Sequence, residues 1–203
     1  MSPYVVRSPW TSVTSAGQAT FTRDQALAIL HEHVKNENLR RHMYACEATM
    51  RAYAIKYNGN LDEWGLVGLL HDFDWEIHPN LDEHPVKGQA ILESRGVPAH
   101  IRHAIMAHAP HTGVKPATMM EKCIFAVDEL TGFIVACALV QPDKKLASVT
   151  VEGIKKKLKS KSFAAKVKRD EIAQGIVLLG IPENEHYRTV LTEMQNIHEE
   201  LGL

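Results

Sequence analysis

Residues 61–72 read LDEWGLVGLLHD, and the apolar run from Trp64 to Leu70 ends directly in the polar pair His71-Asp72. Few stretches of the chain alternate between polar and apolar residues with the period of two that half-buried strands show, so we predict that this run is helical. The helix should extend from about Leu61 to His71 and deliver His71 and Asp72 at its end. This stretch therefore favours an all-α fold.

Helix signals also precede this stretch. Thr22 and Gln25 have the spacing of a capping box, which predicts a helix that runs to about Val34. Asn36 can cap a second helix, and Asn58-Gly59 is a typical left-handed end for it. We therefore expect two helices before the apolar run.

The segments that follow are also predicted to be helical. A loop is expected over residues 73–83, and Pro85 should then occupy the first position of a helix that Gly96 closes. Pro98 starts another helix, which ends at Ala109-Pro110. These signals predict short helices joined by turns.

The longest predicted helix runs from about Ala117 to Val140 and is apolar on most sides, which is typical of a central core element. Gln141-Pro142-Asp143 ends this helix. Shorter helical segments follow, two of which open near Asp170 and Pro182. The sequence therefore remains helical towards its end.

The composition is that of an ordinary globular chain. Its 203 residues suit one domain, and 45% of them are hydrophobic and 23% charged. A formal net charge of −1 gives no electrostatic preference for nucleic acid or for a membrane surface. We expect a loose arm at residues 1–20 and one helical domain at 21–203, with a core at about 39–139 and C-terminal helices at 141–203.

The sequence also favours a cytoplasmic protein. Its three cysteines form an odd set without CxxC spacing, so we expect them to be reduced core residues. The first twenty residues lack the continuous apolar stretch of a signal peptide. The longest strongly apolar run, Phe133–Val140, is far too short to cross a bilayer.

Several polar residues lie on apolar helical stripes. His42 follows Leu39 by three positions and precedes Cys46 by four, and Asp128 lies within the stripe of the long helix. A buried aspartate is costly unless it is paired, hydrogen-bonded or bound to metal. Each of these residues alone has an ordinary structural explanation. Together with His71-Asp72 they indicate a site for a divalent cation such as Mg, Mn, Fe, Co, Ni or Zn.

In this order of His, His-Asp and Asp, the chain resembles the HD superfamily of metal-dependent phosphohydrolases, and most closely its small HDIG-type members. By position, His42 matches the first ligand, His71 and Asp72 match the doublet, and Asp128 matches the last aspartate. The doublet continues here as Phe73-Asp74 in place of Ile-Gly, which leaves the general acid open.

The resemblance further implies a second metal ion. His84 in the segment HPVKG matches one ligand of that ion, and His108 continues the inward stripe of the following helix, with His103 or His111 as alternatives. Asp72 would then bridge two ions. A single ion, with His84 as an exposed helix cap and His108 as a core residue, is the other interpretation. Carboxylates that could orient the ligands are Glu47, Asp74 and Glu129.

The implied activity is hydrolysis of a phosphate mono- or diester, including that of a small nucleotide, with Lys87 or His111 as proton donor. One alternative is a di-iron oxygenase from another branch of the superfamily, although its tyrosine is missing from residues 31–37. Another is a metal-binding module without catalysis. The expected partner is a small phosphorylated substrate, and the oligomeric state stays open.

A basic segment over residues 144–169 could anchor substrate phosphates or form a solvated helix face. Phe163 is the only aromatic residue near these cations. Single-stranded nucleic acid binding usually combines basic with several aromatic side chains, so nucleic acid is not expected as a partner.

Overall fold

The computed structural model describes residues 21–203, so residues 1–20, for which we predict a loose arm and no signal peptide, lie outside the described residues. Over residues 21–203 the chain forms α-helices and two short 3-10 turns and contains no β-strand, which confirms the all-α prediction. The helices are α1 (Arg23–His33), α2 (Glu37–Lys56), α3 (Leu61–Leu70), α4 (Gly88–Ser94), α5 (Ala99–Ala107), α6 (Met119–Leu139), α7 (Val151–Leu158), α8 (Arg169–Leu179), α9 (Glu183–Asn196) and α10 (His198–Leu201).

The predicted helix caps of the N-terminal half are present. At the start of α1 the Gln25 backbone N–H donates to the Thr22 hydroxyl, and the Thr22 N–H donates to the Gln25 side chain at 2.8 Å. The Asn36 side chain accepts the first free N–H groups of α2. Asn58, just beyond α2, has a φ of 53° and turns the chain towards α3. The polar residues at these positions therefore fix where the helices begin and end.

The start of α4 differs from the sequence prediction. Residues 71–87 form successive turns, and α4 begins at Gly88 and not at Pro85. The N-cap position is Lys87, whose side chain forms no cap hydrogen bond, and the Asp74 carboxylate accepts the backbone N–H of Gly88 at 3.2 Å. A Cβ at position 88 would lie 2.5 Å from Asp74 Oδ2, so only glycine allows this contact. The helix therefore begins at the residue whose N–H the buried aspartate accepts.

Close packing of α3 on α2 aligns their polar residues. Gly68 approaches the backbone of Cys46 and Glu47 so closely that a Cβ there would lie 2.7 Å from three backbone atoms. Because Gly68 lies one turn before His71, this contact brings the end of α3 against the middle of α2. His71 thereby comes to face His42.

The core has two parts, and α6 belongs to both. Its first half, including Ile124 and Val127, packs with α1–α5, whereas its second half, including Leu130 and Phe133, packs with α7–α10. Asp128 lies at the junction of the two parts. No helix within residues 21–203 combines the length and apolar character needed to cross a membrane.

Candidate metal centre

Six side chains from different helices and turns converge between the two parts of the core. His42 lies on α2, His71 and Asp72 follow α3, and Asp128 lies on α6. His84 comes from the turns before α4, and His108 is the C-terminal cap of α5. The structure therefore brings together the six residues that the sequence favoured as metal ligands, whereas the alternative His103 is not among them.

The first group of ligand atoms consists of His42, His71 and Asp128, with Asp72 beside them. His42 Nε2 lies 3.1 Å from His71 Nε2 and 3.0 Å from Asp128 Oδ1. Oδ2 of Asp72 is 3.7 Å from His71 Nε2 and 3.9 Å from His42 Nε2. Residues on or next to three separate helices thus place their candidate ligand atoms within 4.8 Å of one another.

The second group consists of His84, His108 and the other oxygen of Asp72. His84 Nε2 and His108 Nε2 lie 3.3 Å apart, and Asp72 Oδ1 is 3.2 Å from the former and 3.3 Å from the latter. The two carboxylate oxygens of Asp72 therefore face different groups of imidazoles. Asp72 is the residue that joins them.

The outward nitrogen of each imidazole is held by a protein acceptor. His71 Nδ1 donates to the Gly68 carbonyl at 2.9 Å, His108 Nδ1 donates to the Ile105 carbonyl, and His84 Nδ1 donates to Asp74 Oδ1 at 2.7 Å. These acceptors carry no proton, so the hydrogen must lie on Nδ1. When these rings are neutral, as metal binding requires, their Nε2 lone pairs therefore point towards the centre.

This arrangement fits a divalent cation. Nitrogen and oxygen ligands that bind one ion at roughly 2.0–2.2 Å lie about 3 Å apart, as the ligand atoms do within each group. Neutral imidazoles whose lone pairs face each other at 3.1 Å would repel unless a metal ion or a proton lay between them. Imidazole and carboxylate donors suit Mn, Fe, Ni, Zn or Co. The residues present therefore fit a metal centre.

The electrostatics of the ligands also favour positive charge at the centre. Burial lowers the pKa of His71, but the charge of Asp72 and neighbouring acidic groups outweighs it and raises that pKa to about 9. His84 shows the same balance, because hydrogen bonds with Asp72 and Asp74 outweigh burial and raise its pKa to about 9. Burial raises the pKa of Asp72, but His71, His108 and His84 shift it well below its ordinary value.

Two residues of the centre were not suggested by the sequence as part of it. Cys46 Sγ lies 3.9 Å from His42 Nε2 and is a possible fourth donor of the first group, although the sequence indicated only a core residue. Thr131 Oγ1 lies 3.1 Å from His42 Nδ1 and 3.4 Å from Cys46 Sγ. Both lie one turn from a ligand, at i+4 from His42 and i+3 from Asp128, and this spacing was the available signal.

The carboxylates suggested as supports have different roles. Asp74 is fully buried and holds His84. Glu47 instead pairs with Arg23 and Arg51. Glu129 accepts the backbone N–H of Lys168 at 3.1 Å, and burial followed by the charge of Asp128 raises its pKa. Of the three, only Asp74 contacts an imidazole of the centre.

A cavity of about 390 Å³ opens from the metal centre. His111 lines it and donates from Nε2 to the His84 carbonyl at 2.6 Å. Lys87 does not line it, because its side chain is 55% exposed and pairs with Glu83. His103, the other alternative ligand, is 56% exposed and pairs with Glu121. The lysine that lines the cavity is Lys168 of the basic segment.

Comparisons of the chain with models of protein families, with curated proteins and with solved structures gave no match. The all-α fold and the His/Asp groups that could hold metal are therefore established from the residues of this chain. The resemblance to the HD superfamily depends on the order of its ligands in the sequence.

Proposed function

We propose that this chain is a metal-dependent phosphohydrolase of the HD type, which uses water to hydrolyse a phosphate mono- or diester. The observation that supports this proposal best is the position of Asp72, whose two carboxylate oxygens face separate groups of imidazoles at 3.2–3.9 Å. A carboxylate in this position is suited to hold two ions side by side. Paired divalent ions are typical of enzymes that displace groups at phosphorus.

The ligands divide naturally between two ions. His42, His71 and Asp128 would hold one ion, His84 and His108 would hold the other, and Asp72 would contribute to both. Bound divalent ions supply a nucleophilic water near neutral pH and neutralise the charge of phosphoryl oxygens. The protein fixes the ligand geometry through the outward imidazole nitrogens, which are held by Gly68, Ile105 and Asp74.

Hydrolysis also requires a proton for the leaving group. One water is consumed, its oxygen forms the new bond to phosphorus, and the bond from phosphorus to the leaving oxygen breaks. We assign protonation of the leaving oxygen to His111, because this residue lines the cavity. Its Nε2 is engaged with the His84 carbonyl, so Nδ1 is the nitrogen available to the substrate. Lys87 is not assigned this role, because it pairs with Glu83 away from the cavity.

The size of the cavity supports a small phosphorylated substrate. A volume of about 390 Å³ is at the lower end of the range for small-molecule sites. A polymer would need an extended groove lined by cations and aromatic side chains. The cavity lining includes one lysine and one tryptophan, Lys168 and Trp75. Nucleic acid is therefore not proposed as a partner.

A di-iron oxygenase is the second candidate, because imidazole and carboxylate ligands joined by a bridging aspartate also suit iron. The oxygenases of this superfamily use a tyrosine and a glutamate shortly before the first ligand. The corresponding segment here, residues 31–37, does not line the cavity. The same substitutions would remove metal from either enzyme. Oxygen uptake by anaerobically prepared, iron-loaded protein would favour this candidate.

Hydrolysis by metal-loaded protein tests the proposal, measured as phosphate release from a panel of monoesters and as release of the leaving alcohol from a panel of diesters. Turnover should depend on added divalent metal and should disappear in Asp72→Ala together with bound metal, while the helical content stays unchanged. His103→Ala is the matched control, since this exposed histidine pairs with Glu121 outside the centre. Retained metal without turnover on any ester would instead indicate a binding module.

A further inference from the structure

Three charged residues of the cavity lining lie in contact with one another, and we call Glu129, Lys168 and Glu171 the outer wall. Glu129 lies on α6, whereas Glu171 lies in the first turn of α8 and Lys168 caps that helix. Trp75 and Pro110 also line the cavity. Because the outer wall and the candidate metal ligands line the same cavity, a substrate held at those ligands would lie near the outer wall.

The charges of the outer wall do not balance. Lys168 Nζ lies 3.0 Å from Glu171 Oε1, so its positive charge is matched within the wall. Glu129 receives only the neutral backbone N–H of Lys168, at 3.1 Å. Two carboxylates and one ammonium group leave this wall with a net negative charge when all three are ionised.

Other cations of the basic segment are engaged away from the cavity. Lys155 pairs with Glu183 at 2.6 Å, and Lys157 lies over the ring of Phe163 at 4.6 Å. Arg169 donates to backbone carbonyls of the preceding loop, including that of Ser160 at 3.0 Å. None of these three side chains lines the cavity. Lys168 is therefore the one cation of the basic segment that lines the cavity.

We infer that the enzyme selects small esters with a single phosphoryl group, whose leaving alcohol carries hydrogen-bond donors and no second anionic group. This inference rests on the proposed function. Ionised carboxylates only accept hydrogen bonds, so the outer wall binds hydroxyl or ammonium groups. It repels a carboxylate or a second phosphate, because like charges brought together at an interface are unfavourable. The metal centre attracts one phosphoryl group, and the outer wall excludes a further anion.

Three phosphate esters of similar size separate the possibilities. Glycerol 2-phosphate carries hydroxyl donors, phosphoethanolamine carries an ammonium group, and 2-phosphoglycolate carries a carboxylate. With manganese-loaded full-length protein at pH 8, kcat/KM for the first two should exceed that for 2-phosphoglycolate by about tenfold or more, since about 1.4 kcal/mol of repulsion corresponds to that factor. The order of the first two distinguishes a hydroxyl from an ammonium preference.

Two variants of the outer wall should change this selectivity in opposite directions. Glu171→Gln removes a negative charge. It should reduce several-fold the ratio of kcat/KM for the other two esters to kcat/KM for 2-phosphoglycolate. Lys168→Met leaves Glu171 without its ion-pair partner and should increase this ratio. Glu185→Gln is the matched control, because Glu185 also pairs with a lysine, Lys56, but does not line the cavity. A general loss of folding would not produce opposite shifts.

Calorimetric binding of the same three esters separates failure of this inference from failure of the proposed function. Turnover without discrimination against 2-phosphoglycolate would overturn the inference and leave the hydrolase assignment intact. Discrimination in binding without any turnover would support the inference and contradict the assignment. Absence of binding by any of the three esters to metal-loaded protein would overturn both.

Discussion

The hydroxyl of Thr131 lies 3.1 Å from Nδ1 of His42 and determines which nitrogen of that ring carries the proton. The same hydroxyl donates its hydrogen to the Asp128 carbonyl at 2.8 Å. It must therefore accept a hydrogen from His42 Nδ1, which leaves the lone pair on Nε2. A small α6 side chain thus completes the pattern that Gly68, Asp74 and Ile105 provide for the other three imidazoles.

Replacing Thr131 by valine should weaken metal binding. The side chain keeps its shape but loses the hydroxyl that orients His42, and loss of such a support typically costs about 10- to 100-fold in metal affinity. The affinity for Zn²⁺ or Mn²⁺ measured by competition with a chelating dye tests this. Thr49→Val is the control, because the buried Thr49 hydroxyl bonds only the Ala45 carbonyl on the same helix. Equal affinities in the two variants would contradict the role of Thr131.

Replacing Asp74 by asparagine should affect the two ions unequally. Asp74 holds His84 Nδ1 and the Gly88 backbone N–H, and it contacts none of the first group. We expect the metal content to fall from the proposed two ions per chain to about one as the charge-assisted hydrogen bond is lost. Elemental analysis after gel filtration measures this ratio. Loss of both ions, or of neither, would be inconsistent with separate ligand groups.

Substitution of Gly68 should destabilise the fold and the centre together. Gly68→Ala would drive a methyl group into the backbone of α2, and such overpacking typically costs about 1–3 kcal/mol in the free energy of unfolding. It should also displace His71 and lower metal affinity. Gly132→Ala is a contrasting control, since nothing lies within 4 Å of its added Cβ and alanine favours the helix. Urea unfolding of both variants should therefore shift in opposite directions.

Stability should fall in mild acid because of His186. This residue is buried, with Nε2 donating to the Ala126 carbonyl at 3.0 Å and Nδ1 accepting from the Tyr53 hydroxyl at 2.6 Å, and burial lowers its pKa to about 4. The unfolded chain takes up this proton below about pH 6.5, whereas the folded chain stays neutral until about pH 4. The free energy of unfolding should therefore decrease as the pH falls through this interval.

Metal-free protein isolates this effect from metal release. Urea unfolding at several pH values should give a shallower dependence for His186→Gln than for the wild-type chain, although the variant is less stable at pH 7. Parallel curves for the two proteins would show that another group is responsible.

The role of His111 can be tested through the leaving group. If His111 protonates the leaving oxygen, His111→Ala should slow an alkyl phosphate strongly and an activated aryl phosphate little, because an aryloxide leaves without help. Lys87→Met should leave both rates within about twofold, since Lys87 pairs with Glu83 outside the cavity. Equal slowing of both esters by His111→Ala would assign His111 to binding and not to proton transfer.

The features that follow from helical periodicity could be predicted from the sequence. His42 and Asp128 lie on apolar stripes, and His71-Asp72 ends an apolar run, so the sequence predicted that these residues face the core. Their order in the chain then indicated a shared site. His108 was preferred to His103 because it continues an apolar stripe, and the structure has the former in the centre and the latter at the surface. In a regular helix, the spacing of residues in the sequence determines which side chains face the core.

The remaining parts depend on contacts that periodicity does not encode. His84 lies in irregular turns, and its burial depends on Asp74 and Gly88, which also shift the start of α4. Lys168 reaches the cavity because α8 packs on α6, whereas Lys87, close to His84 in the sequence, points elsewhere. Proximity to a ligand in the sequence did not predict which residues line the cavity, because the lining consists of segments that are far apart in the chain.

The ligands of the first group are separated by up to 86 positions in the sequence, from His42 to Asp128. Such a set exists only when the chain is folded, so an ion bound there acts as a removable cross-link across a long loop. By mass action, each tenfold rise of the free ion above its dissociation constant adds about 1.4 kcal/mol to the folded state. The melting temperature of the purified chain, measured at increasing concentrations of each ion, should therefore show which ion binds most tightly.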